Sequence, residues 1–159
     1  MRIAAWMRAE MRGIPGKHID ISDQIIKGFY AVYNTLGDGF AEKVYHAALF
    51  QELRSAGLDV QSECPIPVYY KNMIVSTFAA DLVVNDCIIL ELEAVSALSE
   101  VHGAQLLNYL KATRYEVGLL LNFGPEPEIV RKIFDNRMKR SLNWTESVDQ
   151  EPLQKPNGR

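Results

Sequence analysis

The spacing of apolar residues changes along the chain, and this change restricts the fold more than any other feature. In residues 25–36 and again in residues 44–56, apolar side chains recur every three or four positions, as on the buried side of a helix. Longer apolar runs typical of strands follow, and a third helical pattern covers residues 101–110. Ser22 and Ser99 are the predicted N-caps of the first and third helices. The order ααβββαβ predicts an α/β fold in which helices flank a mixed β-sheet.

Turn residues divide the strand region into four segments, which are residues 60–70, 73–84, 87–95 and 116–123. The first segment contains Pro65 and Pro67, and because proline cannot donate to a strand ladder, we expect an edge strand there. The last segment is apolar on both faces, which indicates a central strand. Residues 129–134 form a short final element that the pattern leaves open as a strand or a helix.

The length and composition fit one globular domain. The chain has 159 residues, of which 48% are hydrophobic and 23% are charged, the mixture of a folded domain rather than a disordered chain. We expect an N-terminal extension at residues 1–20, a single domain at residues 21–140 and a flexible polar tail at residues 141–159.

Charge and cysteine content exclude several classes of protein. With 17 Lys and Arg against 20 Asp and Glu, the formal net charge of −3 excludes a wholly basic nucleic-acid coat. Residues 131–140 still form a local basic run. Two interpretations of this run remain, contact with phosphates and simple solvation. Cys64 and Cys87 form no CxxC pair, which excludes zinc ribbons and disulfide scaffolds and is typical of a reducing compartment. No apolar run approaches the ~18–20 residues of a membrane span, so we expect a cytoplasmic protein without a membrane partner.

Acidic residues occur where strands usually carry apolar ones. Asp81 lies in the second predicted strand, and Glu91 and Glu93 interrupt the third, where alternation puts them on one face. A charge inside a sheet is costly unless it is compensated, and the third strand contains no Lys or Arg. Asp81, Glu91 and a carboxylate from outside the hairpin are the hard oxygen ligands that Mg²⁺ prefers.

The register of the second hairpin decides whether this metal site can form. With a two-residue loop, Asn85 and Asp86, the side chains of Asp81 and Glu91 point to opposite faces of the sheet. With a three-residue loop that includes Cys87, Asp81 lies directly across from Glu91. The metal hypothesis therefore needs the longer loop or an equivalent bulge.

The same residues carry a resemblance to a known family. Residues 39–45, GFAEKVY, match the pattern of the GxxExxY proteins, a small family in the PD-(D/E)XK nuclease superfamily. Further segments resemble the family in the same order: ADLVV at 80–84, ILELEAV at 89–95, SEVHGAQLLNYLK at 99–111 and GLLLNF at 118–123. The resemblance extends from about residue 22 to residue 134, and it implies a restriction-endonuclease-like core.

The resemblance also implies an activity. It makes Asp81 and Glu91 the metal-binding carboxylates of a Mg²⁺- or Mn²⁺-dependent nuclease, with Glu42 completing the metal shell. Gln105 and Tyr109 resemble the QxxxY element that steadies the substrate or the catalytic network. Nucleic acid, DNA or RNA, is the implied partner, and hydrolysis of phosphodiester bonds is the implied reaction.

One position departs from the family and leaves alternatives open. Glu93 stands where the family usually has Lys, and Ala79 replaces the usual Arg before Asp81. If the site is active, Glu93 ligates a second metal or accepts a proton from the attacking water, and Lys111 is a conceivable substitute cation. If the site is not active, the chain is a decayed module that binds nucleic acid or a protein, or a small domain with a structural cation site.

Overall fold

The computed structural model describes residues 17–139, so residues 1–16 and 140–159, which include most of the predicted extension and tail, lie outside the described part. Three helices are present in that part: α1 at Ile19–Leu36, α2 at Glu42–Ser55 and α3 at Glu100–Lys111. The strands are β1 at Val60–Tyr70, β2 at Met73–Val84, β3 at Ile88–Glu93, β4 at Val117–Phe123 and β5 at Pro127–Ile133. A short 3₁₀ helix follows at Asn136–Met138. Within residues 17–139, none of the helices has the length and hydrophobicity that a membrane span requires.

The five strands form one mixed sheet in the order β1-β2-β3-β4-β5. Only β3 and β4 are parallel, with α3 between them in the chain, and the other neighbours are antiparallel. The predicted order ααβββαβ and the mixed sheet are therefore confirmed. The strand with two prolines lies at an edge as predicted, and the last element is a strand.

Helices cover both faces of the sheet. On one face, α1 and α2 pack against the strands through a core that includes Phe29, Leu49 and Leu90. On the other face, α3 packs through a second core that includes Leu106 and Ile89. Because Leu90 and Ile89 belong to opposite cores, alternation along β3 puts Glu91 and Glu93 on the same face as α3.

The two predicted helix caps have different outcomes. Ser99 is the N-cap of α3, and its side chain and that of His102 form a reciprocal capping box. The predicted cap at Ser22 is wrong, because α1 begins at Ile19 and Ser22 lies buried in its first turns. The Ser22 hydroxyl instead accepts a hydrogen bond of 2.8 Å from Arg131 on β5, so it joins the helix to the sheet.

Helix α3 approaches the sheet closely because β4 carries a glycine beneath it. A Cβ atom at Gly118 would lie 2.6 Å from Cδ1 of Leu106, which is fully buried. Since a buried leucine has little room to move, this glycine fixes the distance between α3 and the sheet.

Replacing Gly118 with alanine is therefore expected to destabilise the protein by about 1–3 kcal/mol, the usual cost of overpacking a core. Gly103 on α3 is the matched control, since its added Cβ would meet only the flexible side chain of Lys132 at 3.2 Å. Replacing Gly103 with alanine should be neutral or stabilise the helix by up to about 1 kcal/mol. Urea unfolding of both variants tests this difference, and equal midpoints would contradict it.

Candidate active site

The hairpin between β2 and β3 has the register that the metal hypothesis needs. Val84 pairs with Ile88 and Leu82 pairs with Leu90, so the loop has three residues. Continuing this register by one step places Asp81 directly across from Glu91. The three-residue alternative is therefore confirmed, and the two-residue alternative is wrong.

Side chains replace backbone pairing at this end of the hairpin. The last backbone pair is Leu82 with Leu90. Beyond it, the Leu92 N–H donates to Oδ2 of Asp81 at 2.8 Å, and the Asp81 N–H donates to Oε1 of Glu91 at 3.2 Å. Each carboxylate is thus held by a backbone N–H of the opposite strand, and within residues 17–139 its second oxygen accepts no hydrogen bond.

The β2 strand is irregular at the same position. Ala80 packs in the core beneath α3, whereas Leu82 packs in the core beneath α1 and α2. Residues two apart on a regular strand share a face, so the alternation is broken at Asp81. Glu63 lies opposite Asp81 on β1 with φ at 53°, which marks the same irregularity on the neighbouring strand. This distortion turns the Asp81 side chain toward the end of β3.

Four carboxylates interact electrostatically around this point. Glu91 is only 7% exposed, and burial, followed by the charges of Asp81, Glu93 and Glu42, raises its pKa to about 9. Burial also raises the pKa of Asp81, although the bond from Leu92 opposes this. The pKa of Glu42, near the start of α2, is raised by burial and then by Glu93 and Asp81. The raised pKa values thus have burial as their main cause, and mutual repulsion adds to it at Glu91 and Glu42.

Within residues 17–139, neither Asp81 nor Glu91 has a Lys, Arg or His within ion-pair distance, and the same is true of Glu42. In the same residues, no three His, Cys, Asp or Glu side chains already form a group that could hold a metal ion. Mg²⁺ commonly binds through one or two carboxylates and keeps several waters. Asp81 and Glu91 fit that ligand set, because each is positioned by one hydrogen bond, keeps one oxygen free of hydrogen bonds within residues 17–139 and has no cationic partner there.

The high pKa of Glu91 predicts how the stability of the metal-free protein depends on pH. The folded state holds a proton on Glu91 up to a pKa of about 9, whereas the unfolded chain releases it near 4.5. This proton contributes to the free energy of unfolding at low pH. The contribution is lost as the pH rises from about 4.5 to about 9, by at most about 1.4 kcal/mol per pH unit. Glu91→Gln should remove this loss, and the variant should exceed wild type in stability at pH 8 in EDTA.

Urea unfolding in EDTA at pH 6 and pH 8 measures the difference, which should reach up to about 3 kcal/mol over the two units. Adding Mg²⁺ should then stabilise wild type but not Glu91→Gln, since the variant lacks the anionic oxygens. A wild-type profile as flat as that of the variant would show that Glu91 is ionised in the metal-free fold.

Glu93 faces a histidine whose proton position is fixed by the helix cap. The Ser99 N–H donates to Nδ1 of His102 at 3.0 Å, so Nδ1 is the acceptor nitrogen. The Nε2 atom, which carries the proton in that tautomer, lies 3.9 Å from Oε2 of Glu93. Burial raises the pKa of Glu93, and the nearby imidazole of His102 opposes that rise. The start of α3 is thus tied to the acidic end of β3.

Gln105 and Tyr109 follow on the same helix and bond to each other. Nε2 of Gln105 donates to the Tyr109 hydroxyl at 2.6 Å. Burial raises the pKa of Tyr109, and so do the charges of Glu91, Asp81 and Glu93. Tyr109 therefore lies near the carboxylates. Leu106 and Leu110, one position further along the helix, are fully buried in the core as the helical spacing predicts.

His46 on α2 also belongs to this site, although it was not predicted to do so. Its Nε2 atom lies 3.1 Å from the carbonyl oxygen of Asp81 and 3.5 Å from Oε1 of Glu63. Its charge lowers the pKa of both Asp81 and Glu42. The spacing in the sequence could have indicated this, because His46 is four residues after Glu42 and therefore lies on the same side of the helix.

Arg131 and Lys139 of the basic run, and Lys111, contact groups other than the four carboxylates. Arg131 donates to Ser22 and to the carbonyl oxygen of Lys17, and Lys139 donates to two backbone carbonyl oxygens. The ammonium of Lys111 lies 5.7 Å from the centroid of the Phe134 ring, and within residues 17–139 it forms no ion pair with Glu93. Arg140 lies outside the described residues.

The chain is similar to a known family and to a solved structure. A family model described as PD-(D/E)XK nuclease superfamily matches residues 19–133. No curated protein matches the chain. A solved structure described as "Crystal structure of SSO0001" is 17% identical to this chain, with a TM-score of 0.44. The match covers 74% of this chain and 60% of the chain in that structure.

Proposed function

Because the chain belongs to the PD-(D/E)XK nuclease superfamily, we propose that it is a metal-dependent nuclease that hydrolyses phosphodiester bonds in nucleic acid. One observation carries the proposal. Asp81 and Glu91, on neighbouring strands, are each held by a backbone N–H of the other strand. These hydrogen bonds keep two carboxyl groups together without a basic partner, which a purely structural pair has no reason to do.

Asp81 and Glu91 would hold the metal, with Glu42 contributing from α2. A divalent cation, Mg²⁺ or Mn²⁺, supplies positive charge at the phosphoryl oxygen and lowers the pKa of a bound water. The carboxylates themselves orient the site, because their hydrogen-bonded oxygens cannot rotate freely. Binding of a cation would also offset the burial and the repulsion that together raise the pKa of Glu91.

The remaining residues act on the water and the substrate. Glu93 is half-buried and accepts the proton of the attacking water, and Nε2 of His102 lies 3.9 Å from its Oε2 atom. The hydroxyl of Tyr109, held by Gln105, steadies the phosphate or the catalytic network. These roles agree with the charge interactions that link Tyr109 to Glu91 and Glu93.

Several finer assignments belong to the same proposal. We place the chain in the GxxExxY family, on the motifs at residues 39–45 and 99–111. Residues 21–140 would be the nuclease-like domain, residues 1–20 an extension and residues 141–159 a flexible tail. The protein would act in the cytoplasm on DNA or RNA and would not bind membranes.

A second function has a specific observation in its favour. Glu93 replaces the Lys that the superfamily usually has, so the site lacks the ammonium beside the scissile phosphate. In a decayed module the fold would bind nucleic acid or a protein partner without cleaving anything. A structural cation site would likewise stabilise the fold without activity.

Cleavage assays distinguish these functions. Plasmid DNA, single-stranded DNA and RNA are each incubated with the protein in Mg²⁺, in Mn²⁺ and in EDTA, beside an Asp81→Asn variant purified in the same way. The nuclease function predicts cleavage with a metal ion that both EDTA and the substitution abolish. Absence of cleavage of every substrate with both metals would overturn it and leave the binding module.

A further inference from the structure

A half-exposed aromatic ring lies at the border of the carboxylate site. Phe78 is on β2, three residues before Asp81, and 43% of its surface is exposed. Its ring centroid lies 5.5 Å from that of Tyr109, at an interplanar angle of 38°. Tyr109 itself is nearly buried and is held by Gln105. The outer ring of this pair is therefore open to solvent beside the candidate catalytic residues.

The strand that carries Phe78 extends beyond the sheet. β3 pairs with β2 only from Leu82 to Val84, so the preceding part of β2 pairs only with β1. This two-stranded ribbon has exposed apolar side chains, which are Tyr70, Met73, Ile74, Val75 and Phe78. At its tip the ammonium of Lys71 lies 5.4 Å from the centroid of the Tyr70 ring. Aromatic rings beside a cation are the usual composition of surfaces that bind single-stranded nucleic acid.

The position of Phe78 favours a nucleobase as its occupant. Phe78 lies three residues before Asp81 on β2, roughly 10 Å along the strand. A base next to a phosphodiester at Asp81 and Glu91 is therefore the part of the substrate that can reach its ring. Bases inside a duplex already have both faces covered by their neighbours, so only an unpaired base has a face free for the ring. Base–aromatic stacking also tolerates any sequence, because every base has a π-face.

We propose that Phe78 stacks on an unpaired base next to the bond that is cut, so that the protein selects single-stranded or locally unpaired nucleic acid. The proposal rests on the proposed nuclease function, because that function puts the phosphodiester at the carboxylates. Phe78 pairs with the buried Ile66 across the ribbon, so the two side chains lie side by side on one face.

Binding of a fluorescent oligonucleotide tests the proposal without cleavage. The probe is a single strand that contains 2-aminopurine, whose fluorescence is quenched by stacking, together with its matched duplex. Both are titrated with full-length protein in Mg²⁺, in an Asp81→Asn background. The variants are Phe78→Leu, which keeps apolar bulk but removes the flat ring, and Phe78→Tyr, which keeps the ring. Val75→Ala is the matched control, because Val75 is an exposed apolar residue of the same ribbon that carries no ring and lies farther from Asp81 along β2.

Phe78→Leu should weaken single-strand binding by roughly 5- to 150-fold, the loss that follows removal of one base–aromatic stack. Duplex binding should stay close to the parent value, as should single-strand binding by Phe78→Tyr and Val75→Ala. Equal losses for Phe78→Leu and Val75→Ala would overturn the proposal and indicate a ribbon that docks a protein or a second copy. Unchanged single-strand binding by Phe78→Leu would overturn it as well.

The outcomes also separate this inference from the proposed function. If wild type cleaves nucleic acid but Phe78→Leu binds single strands like its parent, the stacking proposal fails alone. If nothing is cleaved but the binding pattern holds, the nuclease function fails and Phe78 remains a base-binding residue.

Discussion

Replacing Asp81 with asparagine is expected to lower metal-dependent cleavage by a factor on the order of 100 to 1,000, since a metal ligand supplies several kcal/mol of transition-state stabilisation. The side-chain carbonyl oxygen of asparagine can still accept the hydrogen bond from Leu92, so the end of β3 should keep its position. Loss of activity would then reflect loss of charge rather than loss of the fold. Initial cleavage rates at saturating Mg²⁺ measure the effect.

The stability of the same variant provides an internal check. The charge of Asp81 is the largest electrostatic contribution to the raised pKa of Glu91, so its removal should relieve repulsion and leave the metal-free protein at least as stable as wild type. Asp59→Asn is the matched control, because Asp59 is exposed and makes its hydrogen bonds through the backbone. A control that lost activity as strongly as Asp81→Asn would contradict a specific role for Asp81.

The order of elements could be predicted from the sequence, whereas the hairpin register could not. Asn85 and Asp86 fit a two-residue and a three-residue loop equally well, because both residues tolerate a positive φ. Packing decides between them. The longer loop puts Leu82 and Leu90 opposite each other in the core beneath α1 and α2, whereas a shift by one residue would place them on opposite faces.

The parts of the site that depend on backbone irregularity were also beyond prediction. The motif identified Asp81 and Glu91, but alternation alone does not reveal the break at Asp81 that turns its side chain toward Leu92. Likewise, hydrophobic spacing shows that residues 73–84 form a strand without showing how far the strand extends beyond its neighbour. The exposed position of Phe78 follows only from the pairing.

Replacing Glu93 with lysine tests whether the departure from the superfamily is functional. Alternation puts position 93 on the face of Glu91, so no backbone change is needed. In the metal-free protein an ammonium would replace one of the charges that raise the pKa of Glu91, so the variant should be more stable than wild type in EDTA. His102 does not oppose the change, because its Nδ1 accepts a hydrogen bond and the ring is neutral in that tautomer.

The activity of Glu93→Lys is expected to fall by roughly 100-fold, the usual contribution of a general base. A lysine is already protonated at neutral pH and cannot accept the proton that Glu93 takes from water. Glu93→Gln, which removes the base without adding a cation, should lose activity to a similar degree. The opposite result, cleavage by Glu93→Lys above that of wild type, would mean that the native site has decayed and that the lysine restores it. Cleavage rates of both variants at matched Mg²⁺ concentration and pH therefore distinguish a catalytic Glu93 from a decayed binding module. Only if the Glu93 carboxylate takes part in catalysis do both substitutions lower the rate.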